Sequence, residues 1–130
     1  MRRAVVAMVA VVMTVVLTGA CAAPRNTLGT AASPCFRALP TARAAVHNHG
    51  RFLGVRRIGR RGFTKAFHTD APPGREFCAV GFSGPYRPGE VDHAPAGAAG
   101  HYAVITVTMR GTTVLRSFVV DRLPLRLGHR

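Results

Sequence analysis

Acidic residues are scarce in this chain. Asp70, Glu76, Glu90, Asp92 and Asp121 are the five carboxylates among 130 residues, set against 18 Lys and Arg. No two of them are spaced as a pair for general acid and base work, so the sequence offers no carboxylate dyad. The length, 13.8 kDa in mass, excludes a multidomain enzyme. Crossover helices between strand-like runs are missing, which excludes a parallel sheet. The Gly-rich stretch Pro95 to Gly100 lacks the Lys-Ser/Thr of a phosphate loop and reads as a flexible loop. What the chain does have is 48% hydrophobic residues, too many for a disordered basic tail, so a packed core is expected.

The longest apolar run, Ala4 to Leu17, falls short of the roughly 20 residues that cross a bilayer. It follows Arg2 and Arg3 and closes on Thr18, Gly19 and Ala20, the order and size of a signal peptide over residues 1–20. Leu17-Thr18-Gly19-Ala20-Cys21 resembles the lipobox of bacterial lipoproteins. That resemblance implies diacylglycerol on the Cys21 thiol, cleavage before it, palmitate-type acyl chains at the new terminus and an exported protein anchored to the outer face of the cell membrane. Leu17 stands four residues before the cysteine, whereas the commonest lipobox has leucine three before it. The alternative is ordinary secretion, with cleavage after Ala22 between small residues. Residues 22–33 are small, polar and aperiodic and read as a tether, which as a flexible coil spans roughly 20 Å.

Lipidation of Cys21 leaves Cys35 and Cys78, an even pair in an oxidising compartment, and one disulfide is expected between them. A catalytic thiol is disfavoured at Cys78, because the apolar run Phe77 to Val80 would keep it inert.

Residues 34–130 are expected to form one small α+β domain. Ser33 to His49 has helix signals: Ser33-Pro34 or Pro40-Thr41 at the start, Gly50 at the stop, and a stripe of Leu39, Ala42, Ala45, Val46 and His49. After Gly50 the pattern turns to strands and turns. Arg51 to Ile58 and Phe63 to Thr69 flank Gly59-Arg60-Arg61-Gly62 as a hairpin, and Glu76 to Phe82 is a third strand. His101 to Met109 and Val114 to Asp121 form a second hairpin around Arg110-Gly111-Thr112, ended by Pro124. The sum is one N-terminal helix on an antiparallel sheet of about five strands. By order of elements this is similar to the PepSY-like and cystatin-like modules of exported bacterial proteins, a resemblance that implies a helix on a sheet and no particular activity.

Removing Arg2 and Arg3 leaves 16 basic residues against 5 acids, so a net charge of +11 belongs to the mature chain. Its densest stretch, Arg51, Arg56, Arg57, Arg60, Arg61 and Lys65, is expected to form a cationic patch on the first hairpin. Such a patch suits anionic lipid headgroups, wall polymers or a protein partner, at roughly 1 kcal/mol per basic residue near an anionic surface. The competing explanation is a high-GC coding bias, because all but one of the basic residues are arginine. Nucleic acid is a poor partner, since aromatic residues are not interleaved with the basic ones as stacking platforms. No cofactor is implied.

Two further readings belong to other classes. His47 and His49 on one helix would point about 200° apart, so a metal reading falls on Glu90, Asp92 and His93 in a Gly/Pro-rich loop that more often is a solvated connection. Gly81-Phe82-Ser83-Gly84-Pro85 partly matches a nucleophile elbow with Ser83 as nucleophile, but Pro85 replaces the last glycine and no helix follows. A non-catalytic binding module is the leading expectation.

Overall fold

The computed structural model describes residues 33–126. The expected signal peptide, the lipobox with Cys21 and most of the tether lie outside these residues.

Ser33 starts the fold by accepting the Cys35 N–H on its hydroxyl at 3.3 Å. Pro34–Ala38 is a 3-10 turn that runs directly into α1, Leu39–Ala45. The regular helix is therefore shorter than Ser33 to His49. Pro34 and Pro40 stand where missing N–H groups cost least, near the start of each segment. At the other end His47 and Asn48 adopt left-handed backbone with φ of 52° and 58°, and Gly50 follows at 90°. Of the expected stripe, Ala42, Ala45 and Val46 turn inward and Leu39 is half-buried, while His49 is exposed because the helix has ended before it; Ala38 joins the buried face instead.

Four strands form one antiparallel meander in the order β1-β2-β3-β4: β1 Arg51–Gly59, β2 Glu76–Tyr86, β3 Gly100–Thr108 and β4 Val114–Val120. The second hairpin forms where it was expected, its strand ends shifted by a residue. The first does not. Residues Arg60–Phe67 form a helix, α2, so the described residues hold four strands where about five were expected. The reason lies in the spacing of Phe63 and Phe67. Four apart on a helix, both rings reach one side, where Phe63 meets Phe77 and Phe118 at 5.7 Å each and Phe67 stacks on Phe118. As a strand the same two residues would also share a face, which is why alternation alone misled. Gly59 in extended backbone opens α2, and His68, left-handed at φ 52°, closes it by donating its N–H to the Thr64 carbonyl.

The register shows how the sheet is covered on both sides. Val55 lies opposite Val80, Cys78 opposite Val107 and Val80 opposite Ile105, and these residues pack under α1 with Phe82 and Ala103. Ile58 lies opposite Phe77, and with Ala79, Val104 and Phe63 they form a second core beneath α2. Leu123 and Leu125 complete that second core from beyond β4. The expected helix on one face is thus a helix on each face. The Cys35–Cys78 disulfide is present, with Cα atoms 5.2 Å apart, and it ties the 3-10 turn to the middle of the sheet. Met109 Sδ lies 3.6 Å from Cys78 Sγ and shields the bond from the β3 end.

The loop after β2 is less open than its composition suggests. Val91 is buried at 5% exposure, the Asp92 N–H donates to the Ala45 carbonyl at 2.8 Å, and the His93 carbonyl accepts from the Ser117 N–H. No described helix is long and apolar enough to cross a membrane.

Candidate binding surface

The basic residues that sequence reading grouped on a hairpin sort differently in three dimensions. β1 is an edge strand, and its alternating side chains divide the group. Arg56 lies opposite Ala79 and Arg51 opposite Ser83, on the α2 side of the sheet. Arg57 lies opposite Cys78, on the α1 side, where its guanidinium stands 3.6 Å from the Glu76 carboxylate. A β-bulge between Phe52 and Gly54 resets the alternation, which keeps Arg51 on the same side as Arg56.

Arg60, Arg61 and Lys65 project from α2 instead of from a turn. With Thr64, Asp70 and Ala71 they line an open recess between the outer face of α2 and the loop that follows it. Arg60 spans that gap: its Nη1 donates to the Pro72 carbonyl at 2.7 Å and the Gly74 carbonyl at 3.0 Å. Those two acceptors offset the unfavourable placing of a cation in the first turn, where no acidic residue stands. Asp70 is the carboxylate at the margin, leaving an excess of two positive charges over the recess. Arg116 holds this loop from the other side, its Nη1 donating to the Thr69 hydroxyl at 3.2 Å and the Asp70 carbonyl at 3.0 Å. Arg116 was not singled out from the sequence. Its signal was weak, a single basic residue within the expected strand Val114 to Asp121.

Arg61 and Lys65 are four apart on α2, so they share a face and are free to present donors outward, while Phe63 fills the opposite face. The arrangement can hold an oxyanion between forked guanidinium donors and an ammonium.

The other candidates come apart. Glu90 accepts the Arg87 N–H at 2.7 Å, and Asp92 pairs with His47 at 3.0 Å, both side chains well exposed. His93 sits at φ 61° and contributes its carbonyl to Ser117. No group of three His, Cys, Asp or Glu placed to hold a metal ion occurs among the described residues. The helix has ended before His47 and His49, yet His49 turns to the Pro85 carbonyl at 2.9 Å and not to a shared ligand position. Ser83 lies on β2 between Arg51 and Tyr102, in regular strand and not on an elbow.

Tyr86 carries a displaced titration. It is 2% exposed, donates its hydroxyl to the His49 carbonyl at 2.8 Å, and burial pushes its pKa up to about 12; Arg43 nearby opposes the rise and Glu90 adds to it. This is a structural lock on the loop after α1.

No family model, curated protein or solved structure matches the chain.

Proposed function

We propose that this chain is a lipoprotein of the bacterial cell envelope whose domain is a non-catalytic module for anionic envelope material, held on the α2 face. The anchor rests on the sequence Leu17 to Cys21, and the intramolecular disulfide fits a chain folded in an oxidising compartment. The binding assignment rests on one observation: Arg60, Arg61 and Lys65 line a single recess together with the Thr64 hydroxyl. Guanidinium and ammonium donors of this kind bind phosphate and carboxylate groups, and they need no proton exchange to do so.

The test has two readings. The mass of the mature N-terminus reports lipid and cleavage site together; a bare residue 23 after secretion removes the anchor. Binding of the mature protein in neutral detergent to a soluble polyanion such as polyphosphate should fall steeply as salt is added. Salt-insensitive binding, or none, removes the α2 assignment and leaves a protein partner as the better reading.

A further inference from the structure

We infer that the surface around Phe36, on the α1 side of the sheet, rests on the phospholipid bilayer that holds the chain, leaving the α2 face turned away from it. The inference builds on the lipid-anchor reading and adds an orientation to it. Phe36 is the exposed large hydrophobic residue of the described chain, 36% accessible. It sits three residues after the start of the described structure and one after Cys35, so the disulfide fixes it beside the point where the chain from Cys21 enters the fold. Its ring stands edge-on to the half-buried Phe52 at 6.3 Å, which extends the apolar spot onto β1.

Three exposed arginines belong to the segments that meet on this side. Arg37 is the neighbour of Phe36, and its Nε donates to the Pro34 carbonyl. Arg57 projects from the α1 side of β1 beside Cys78. Arg110 belongs to the β3–β4 turn, which packs so closely on Arg37 that a Cβ at Gly111 would lie 2.9 Å from Arg37 Cγ. Glu76 is the acid nearby, paired with Arg57. An aromatic spot with exposed arginines on the same side matches the interfacial layer of an anionic bilayer, apolar just below the headgroups and negative at them. The length of chain supplies the occupant. Twelve positions separate a lipid-bearing Cys21 from Ser33, so the bilayer meets the side on which the chain enters.

The chain has no tryptophan, which makes a single introduced one a local reporter. The full lipoprotein is reconstituted into phosphatidylglycerol-containing vesicles as F36W and as Y102W, the latter on the α2 side opposite Val120 and Ser83. Brominated lipid should quench F36W several-fold more than Y102W, with a blue shift for F36W alone. Equal quenching, or none at F36W, in a product whose mass shows the lipid overturns the docking face and leaves the anchor standing. A product without lipid overturns both. Should F36W expose free thiols, the wild type decides: amide exchange over Phe36–Leu39 slows several-fold on vesicles relative to unlipidated C21S, and unchanged exchange overturns the inference.

Discussion

The ring of Phe67 lies flat on that of Phe118, centroids 4.0 Å apart and planes 7° from parallel. Phe67 ends α2, which follows the first edge strand, and Phe118 belongs to the last one. One stacked pair thus joins the two edges of the meander across the α2 face, with Phe63 wedged between them and Phe77.

Truncation should expose this arrangement. Phe63 is fully buried, so F63A should destabilise the domain by about 3–5 kcal/mol. A double-mutant cycle on Phe67 and Phe118 should return a coupling of about 1 kcal/mol, measured by denaturant unfolding of the single and double alanine variants. Additive effects would mean that the rings merely bury area.

Reduction of Cys35–Cys78 releases a loop whose ends are 43 residues apart. In the chain-entropy model this costs about 4 kcal/mol, a large share of the roughly 5–15 kcal/mol that stabilises a small domain. The C35S/C78S protein should therefore unfold at markedly lower denaturant than the oxidised wild type. In the unreduced, unfolded mature protein no thiol should titrate, since Cys21 is expected to carry lipid.

Much of the fold was legible because its signals were local. The sequence alternates along His101 to Met109, with Ala103, Ile105 and Val107 on one face and Val104 on the other, and the two cores divide along that line. Parity of the cysteines sufficed for the disulfide. Arg60–Phe67 was illegible for the opposite reason. Phe63 and Phe67 fit a strand or a helix equally well, and the rings that select the helix come from Phe77 and Phe118, 14 and 55 residues beyond Phe63. The basic group divides: alternation along β1 puts Arg57 on the α1 side of the sheet, while Arg51 and Arg56 lie on the α2 side and Arg60, Arg61 and Lys65 line one recess on α2, a division that no charge count reveals.

Tyr86 gives the domain an alkaline limit. Its folded pKa is raised to about 12 from an ordinary value of 10.0, so the native state keeps the proton that the unfolded chain gives up first. Between those values the native state binds more protons than the unfolded state, and stability falls as pH rises; below pH 10 the contribution is fully present. Absorbance of tyrosinate should show a late component that appears together with unfolding and is missing in Y86F. That variant also loses the bond to the His49 carbonyl, at a cost of about 1 kcal/mol near neutral pH. Gly50→Ala should be worse, because its Cβ would strike the Tyr86 hydroxyl and the Ser83 carbonyl while φ is held at 90°.

The α2 face should be separable from the overall positive charge. Arg61 and Lys65 line the recess and make no structural bond among the described residues, unlike Arg60, whose guanidinium holds Pro72 and Gly74. R61A/K65A should leave the unfolding midpoint nearly unchanged and weaken polyphosphate binding by about 2 kcal/mol, or roughly 30-fold, at low salt. R37A/R110A removes the same net charge from the opposite side of the sheet, and it should change affinity only as far as long-range screening allows, with little left at moderate salt. If the two pairs weaken binding equally, attraction to the chain as a whole explains it, and the distribution of arginines is the imprint of coding bias. If only the first pair matters, and its loss also flattens the dependence on salt, the recess between α2 and the Asp70–Gly74 loop is the place where the anion sits.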